Sequence, residues 1–272
     1  MEKILCGDDY DDNPKCYIEG EYDLNQVGVY PLVFKAIDSS GNTEEKAFNL
    51  NVYDEYDNEI YEMFYNDFNE IKEKYKTDNT RIGIDISSYQ GDIDFNKLKN
   101  SGVEFIIIRV GYGYHNKNFI DNRFEEYIKE ANKYDIPVGV YYYSYANSVE
   151  EAKEEAKWVL KQIKKYKVEL PIAFDWEEWG NFNAYHLSFF NLTNIAEEFL
   201  DTVEKKGYKG MLYSSKTYLE HIWMRKKYPI WLAQYNDEVT YQGDYYIWQM
   251  CDNGIVDGIN GNVDIDIMYN KK

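Results

Sequence analysis

Two different periodicities divide the chain. Up to about residue 54, apolar and polar positions alternate in short runs, Lys15 to Glu19, Val27 to Ala36 and Ala47 to Val52, broken by Gly20, Gly28 and Ser39-Ser40-Gly41-Asn42. Short alternating runs between turn residues predict a small all-β sandwich. Between about 56 and 76, Ile60, Phe64, Phe68 and Ile71 recur at helical spacing, with Tyr61, Tyr65 and Tyr75 beside them and charges opposite. This predicts a connecting helix that docks its apolar stripe on a neighbour, since such a helix is marginal alone in water.

After Thr80, runs of strand length alternate with helical patterns, the mark of a parallel β/α arrangement. Strands are predicted near 82–87, 104–110, 137–144, 170–176, 210–214, 229–233, 245–249 and 263–267. Helices are predicted at about 94–101, 121–135, 148–167, 188–206 and 216–223, and the later gaps are too short for more. The expected fold is therefore an α/β barrel of eight strands whose last three lack helical crossovers. Ser148 followed by Glu151 reads as a capping box that opens the third helix. The domain division expected is 1–54, a linker or helix over 55–80, and a barrel over 81–272.

Composition narrows the classes. Apolar residues make up 44% of 272, enough for a substantial core and too many for a disordered acidic tail. The net charge of −19 repels phosphate backbones and anionic lipid headgroups, so nucleic-acid binding is not expected. No apolar run approaches the roughly 20 residues of a membrane-spanning helix, and the N-terminus turns acidic soon after Ile4, Leu5 and Cys6, so neither membrane insertion nor a signal peptide is expected within this sequence. Cys6, Cys16 and Cys251 are too sparse for a zinc site. Cys6 and Cys16 either form one disulfide or are plain small residues. Asp8, Asp9, Asp11 and Asp12 have the hard oxygens that hold Ca²⁺, although a solvated acidic loop is the preferred reading. Aromatic residues reach 18%, with 29 Tyr; flat rings with a polar tip suit sugar binding as well as ordinary cores.

The chemistry is suggested by acids inside apolar strands. Gly83-Ile84-Asp85-Ile86-Ser87 places one carboxylate among isoleucines, and Pro171-Ile172-Ala173-Phe174-Asp175-Trp176-Glu177 places two. A buried carboxylate is costly unless it lines a site or is fully hydrogen-bonded. Asp175 and Glu177 share a strand face about 6 to 7 Å apart at roughly 3.3 Å per residue. Asp264 and Asp266 repeat the arrangement in the last strand. In a barrel, acids at the ends of the first, fourth and eighth strands converge on one mouth, and crowding there raises at least one pKa. A protonated acid beside ionised ones is the equipment for glycosidic cleavage. A divalent-metal site built from the same acids is the alternative; it is disfavoured because His115, His186 and His221 fall on loops or helices, and no metal or cofactor is expected.

These residues resemble glycoside hydrolase family 25, the Chalaropsis-type lysozymes or N-acetylmuramidases. The matching elements are Asp85-Ile86-Ser87-Ser88-Tyr89-Gln90-Gly91, Gly139-Val140-Tyr141-Tyr142-Tyr143, Phe174-Asp175-Trp176-Glu177, Ile230-Trp231-Leu232-Ala233-Gln234-Tyr235, and Ile247-Trp248-Gln249 followed by Gly261-Asn262-Val263-Asp264. They run in family order over about 81–270. The resemblance implies a flattened (βα)5β3 barrel that hydrolyses the β-1,4 bond from N-acetylmuramic acid to N-acetylglucosamine in bacterial peptidoglycan. It implies Glu177 as general acid/base, Asp175 assisting the substrate acetamido group, and Asp85 and Asp264 shaping charge and hydrogen bonding. Tyr141 occupies the family's site tyrosine and Tyr143 shares its face. Trp231 and Tyr235 are expected sugar contacts and Gln249 a substrate hydrogen-bonding group. The N-terminal run Gly28-Val29-Tyr30 through Ala36-Ile37-Asp38-Ser39-Ser40-Gly41-Asn42 resembles bacterial surface immunoglobulin-like modules, which implies a spacer or wall-association unit. An extracellular or cell-wall location and a monomer are expected.

Two departures stand out: Met250-Cys251 follows Gln249 where the family often has an aromatic and a small polar residue, and Asp266 stands where Asn is frequent. Two rival readings remain. A chitinase-like endo-N-acetylglucosaminidase needs D-x-D-x-E, which Ala173 breaks. A non-catalytic wall-binding or adhesion protein has no need of an intact Asp175 and Glu177.

Overall fold

The computed structural model describes residues 5–54, 65–114 and 117–270. The chain divides into two compact units, Met1–Phe64 with Glu178–Asn191, and Tyr65–Glu177 with Leu192–Lys272.

In the first unit, β1 (Lys15–Glu19), β2 (Gly28–Ile37) and β3 (Thr43–Val52) form one antiparallel sheet in that order. The β2–β3 hairpin turns at Asp38, whose carboxylate accepts from Asn42 N at 2.7 Å, while Gly41 supplies the positive φ of 88°. The second sheet of a sandwich is not among the described residues. Cys6 and Cys16 are joined by a disulfide. The acidic run acts through local hydrogen bonds: Asp8 Oδ1 accepts from Tyr10 N and Asp11 N, Asp11 accepts from Asn13 N and Ser39 N, and Asp12 accepts from Ser188 N at 2.6 Å and from Asn191 Nδ2.

The second unit is built on a closed ring. Its strands are β5 (Thr80–Ile86), β6 (Ile106–Tyr114), β8 (Val138–Tyr143), β9 (Ile172–Asp175), β10 (Gly210–Ser215), β11 (Ile230–Ala233), β12 (Ile247–Ile255) and β13 (Val263–Tyr269). Each pairs with the next, β12 also pairs with β11 and β13 with β5, so eight strands close the barrel. All neighbours are parallel except β13, which is antiparallel to both β12 and β5. Between the strands run α2 (Phe95–Ser101), α3 (Phe124–Lys133), α4 (Val149–Ile163), most of α6 (Phe189–Glu204) and α7 (Lys216–His221), whereas the short α5 (Phe182–Tyr185) belongs to the first unit. Elements that escaped the periodicity include α5, β7 (Lys117–Ile120), which forms a hairpin with β6, and the two-residue β4 (Asn66–Asp67), which pairs with the end of β12.

Of the expected connecting helix, the described residues carry its C-terminal part. Helix α1 (Phe68–Tyr75) begins only after Asp67, whose carboxylate accepts from Asn69 N and Glu70 N and so caps it. Phe68 and Ile71 are buried as the stripe predicts, whereas Ile60, Tyr61 and Phe64 lie outside the described residues. Ser148 caps α4 through Glu151 N, but the Glu151 carboxylate reaches back to Asn147 N at 2.9 Å, so only half of the predicted box forms.

Strand alternation sorts each barrel strand into an outer and an inner face. On β9, Phe174 faces outward onto Phe199 of α6, ring centroids 5.1 Å apart, while Ala173 joins the inner cluster of Phe105, Ile107, Met211, Trp231, Ile247 and Met268. Those inner side chains fill the barrel below the mouth, leaving its upper layer for polar groups.

Candidate active site

A cleft of about 250 Å³ opens at the C-terminal ends of the parallel strands. Asp85, Asp175, Glu177 and Asp264 line it, as do Tyr141, Tyr143, Trp231, Tyr235 and Gln249, so the fold brings all nine of the residues singled out from sequence together. Asp266 is not among its lining residues. It is fully buried one layer deeper, because β13 pairs Asp264 with Asp85 and Asp266 with Gly83. Of the two β13 acids expected on one strand face, Asp264 alone lines the cleft, because residues i and i+2 share a face but differ in depth.

The loop after β5 gives the D-x-S-x-x-Q motif its physical meaning. Ser87 Oγ accepts from Tyr89 N while Gln90 Oε1 accepts from Ser87 N at 2.8 Å, a reciprocal cap on the 3-10 turn Ser88–Gln90. Gln90 also donates to Asn262 O before β13, and the turn presents Tyr89, 85% exposed, at the cleft.

The floor is polar and tightly bonded. Gln249 Nε2 donates to Asp85 Oδ2 at 2.8 Å, and Gln249 Oε1 accepts from Tyr213 OH at 2.9 Å and Tyr235 OH at 3.2 Å. Trp231, expected as a sugar contact, is 1% exposed; its ring meets Tyr213 at 4.7 Å and Tyr141 at 5.9 Å, and its Nε1 donates to Asp266 Oδ1 at 2.8 Å. It forms a floor beneath the cleft. Tyr235 is 54% exposed at the rim.

On β9, Asp175 and Glu177 differ sharply. Asp175 ends the strand and is buried, with Oδ1 lacking any hydrogen-bond donor, whereas Glu177, two residues on, is exposed. Between them the buried Trp176 donates its indole N–H to Ala146 O at 2.9 Å, which anchors the backbone between the two acids.

Sequence reasoning missed Arg109 and Tyr213, which also line the cleft. Arg109 follows Ile106-Ile107-Ile108 on an inner position of β6, the same signal of a charge within an apolar strand that exposed Asp85. It donates Nε to Asp121 Oδ2 at 2.8 Å and Nη2 to Ser88 Oγ at 3.1 Å, and lies 5.1 Å from the Tyr89 ring centre. Tyr213 carried no signal among 29 tyrosines.

Burial dominates the electrostatics, with crowding second. It pushes Asp85 well above the usual carboxylate range, and Asp266 beside it adds repulsion. Asp175 is raised by burial, then by Glu177 and Asp85, against which Arg109 acts weakly. Asp264 is pushed up to about 9 by burial and then by Asp85. The buried acids of the cleft thus keep their protons above the pH at which free carboxyls lose them. A larger pocket, about 580 Å³, lies in the first unit, but its one acid, Asp12, is already bound to Ser188 and Asn191.

A closed eight-strand α/β barrel with carboxyl groups from β5, β9 and β13 meeting at its mouth is the scaffold and equipment of a glycosidase. The chain belongs to Glycosyl hydrolases family 25, whose defining sequence pattern matches residues 84–259. It is 28% identical over 187 residues to the autolytic lysozyme of Clostridium acetobutylicum, covering 68% of this chain and 54% of that one; the chain thus spans about half the length of that relative. Among solved structures, it is similar to the modular autolysin LytC from Streptococcus pneumoniae in complex with a synthetic peptidoglycan ligand, at 25% identity and a TM-score of 0.64, over 87% of this chain and 56% of that one. A family 25 glycosyl hydrolase from Bacillus anthracis shares the fold at 23% identity and a TM-score of 0.59, over 73% of this chain and 93% of that one.

Proposed function

We propose that the protein is a peptidoglycan hydrolase, an N-acetylmuramidase that cleaves the β-1,4 bond from N-acetylmuramic acid to N-acetylglucosamine. The observation that carries this reading is the Asp175–Glu177 pair: an exposed carboxyl able to reach a glycosidic oxygen, next to a buried one with an oxygen free to accept an N–H. Glu177 protonates the leaving oxygen as the bond to the anomeric carbon breaks. The substrate's own acetamido oxygen attacks that carbon, while Asp175 accepts the acetamido N–H and stabilises the positive charge. Glu177, now ionised, takes a proton from water, which opens the ring intermediate and restores the sugar with retained configuration. Asp85 and Asp264 shape the charge of the cleft, Tyr141 and Tyr143 line its β8 side, Tyr235 offers a ring at the rim, and Gln249 orders the floor.

Residues 81–272 constitute the catalytic barrel in this reading, and residues 1–54 an immunoglobulin-like spacer or wall-association module. The disulfide Cys6–Cys16 supports action outside the cell, where such bonds persist. Among the described residues no helix is long and apolar enough to cross a membrane.

The test is to digest purified peptidoglycan, reduce the fragments with borohydride and identify the reduced terminal sugar by mass spectrometry. Muramitol is expected; glucosaminitol would replace the reading with an N-acetylglucosaminidase. Glu177→Gln is expected to abolish release while retaining binding to the wall, whereas absence of release by the unaltered protein would indicate a wall-binding module. Glycan strands stripped of N-acetyl groups are expected to resist cleavage, because the internal nucleophile is then gone.

A further inference from the structure

Beneath the cleft, Asp266 is fully buried. Its Oδ1 accepts from Trp231 Nε1, and its Oδ2 receives no donor from the rest of the described protein. The register of β13 on β5 makes its diagonal neighbour on the same inner face another acid, Asp85, itself 5% exposed, and the two carboxyls interact. Two ionised carboxylates have acceptors only and cannot bond to one another; one must keep a proton. The remaining hydrogen bonds indicate which. Tyr213 and Tyr235 donate to Gln249, Gln249 donates to Asp85 Oδ2, and Trp231 donates to Asp266, so every donor points toward Asp266 and the chain is complete only if Asp85 donates as well.

We propose that Asp266 is a positioning residue for the cleft: Asp85 and Asp266 share a single proton across a carboxyl–carboxylate hydrogen bond, which fixes Asp85 beneath the substrate and anchors the Gln249, Tyr213 and Tyr235 network. The charge of the pair is held at the bottom, on Asp266, stabilised by the indole N–H. Burial of both groups favours this arrangement, since one negative charge is far cheaper than two in a site of low dielectric. Surrounding groups reinforce it. Glu177, two residues past β9, adds repulsion to Asp85, and Asp175 on β9, Asp264 on β13 and Cys251 on β12 would each repel the pair if they ionised. The phenols of Tyr141, Tyr213 and Tyr235 face the pair un-ionised. Of the cations, Arg109 on β6 is engaged by Asp121, and Arg81, one layer below on β5, directs Nη2 at Met268 Sδ.

This deepens the functional reading above and depends on it only where activity is measured, so the first readout is independent of any substrate. The infrared intensity of protonated carboxylic acids in the full chain at neutral pH is compared for the unaltered protein, Asp266→Asn, Asp85→Asn and the double variant. An asparagine at either place can donate its amide N–H to the remaining carboxylate, so each single variant is expected to lose the signal of one acid, and the double variant no more than that. Loss in only one single variant, loss of two acids in the double variant, or loss in none would each overturn the shared proton. The second readout is the rate of peptidoglycan release against pH. Asp266→Asn is expected to retain activity within about threefold and to lack the alkaline limb caused by proton loss from the pair, whereas Asp266→Leu, which leaves Asp85 ungripped, is expected to lose at least about tenfold. Equal pH profiles for the unaltered protein and Asp266→Asn would assign Asp266 a packing role only.

Discussion

Gln249 holds Asp85: its amide donates to Oδ2 at 2.8 Å while its carbonyl collects the hydroxyls of Tyr213 and Tyr235. One side chain thus links three groups from β5, β10 and the segment after β11. Gln249 is 4% exposed, so these bonds have no replacement in water. Gln249→Leu is expected to leave Asp85 and Tyr213 each short of a partner, at a cost of about 1–3 kcal/mol per buried group. Equilibrium urea unfolding reads that cost directly, and release of glycan fragments is expected to fall at least about tenfold as Asp85 loses its orientation. Unchanged stability would mean that water replaces the amide.

Asp121 gives a second test of how the mouth is held. Its side chain is 1% exposed and accepts from Ser88 N, Arg123 N and Arg109. Asp121→Ala is expected to destabilise by about 3–5 kcal/mol, since Arg109 is left as a half-buried unpaired cation and the turn carrying Tyr89 loses its anchor. Asp121→Asn keeps most of the geometry and is expected to cost less. A urea midpoint that moves equally for both variants would show that charge rather than geometry dominates.

Glu155 sets a pH dependence of stability outside the cleft. It is buried on α4, where it accepts from Ser144 Oγ, and burial raises its carboxyl from 4.5 to about 8. The folded state therefore binds a proton that the unfolded state has released between about pH 4.5 and 8, so stability contributed by this group is present at pH 4.5 and is lost as pH rises to 8. Glu155→Gln, which cannot ionise, is expected to melt higher than the unaltered protein at pH 8, by the order of 4 kcal/mol of stability at most, with the difference shrinking toward pH 4.5. Parallel melting curves across that range would refute the assignment.

Salt is the fourth lever. A net charge of −19 opposes approach to a polyanionic wall. Since the Debye length falls to about 10 Å at 0.1 M, the rate of release from intact walls is expected to rise with moderate salt. Release from short soluble glycans, which carry little charge, should change much less. A flat or falling profile on intact walls would mean that the acidic surface is turned away from the substrate.

Local pattern was enough for much of the molecule. The eight barrel strands and five of the helices were legible because each buries one face, and a buried face imposes its period on the sequence. Asp85, Asp175 and Glu177 were legible for the opposite reason: a carboxyl within an apolar strand is too costly to be there without a task. Arg109 carries the same signal, a charge directly after Ile106-Ile107-Ile108 in an apolar strand.

Depth and distant partnership required the tertiary structure. Strand periodicity assigned Asp264 and Asp266 to one face, but only the antiparallel register of β13 on β5 places the first at the mouth and the second beneath it, opposite Gly83. The same holds for Trp231, whose burial follows from closure of the ring, and for Glu178–Asn191, whose compact unit includes the N-terminal residues through Asp12 and its bonds to Ser188 and Asn191. Helix α1 starts at Phe68 because Asn66 and Asp67 pair with Gly254 and Ile255, residues far along the chain that no local period can report. Side-chain period is a local property of the backbone, whereas depth within a barrel is set by how separate strands register against one another.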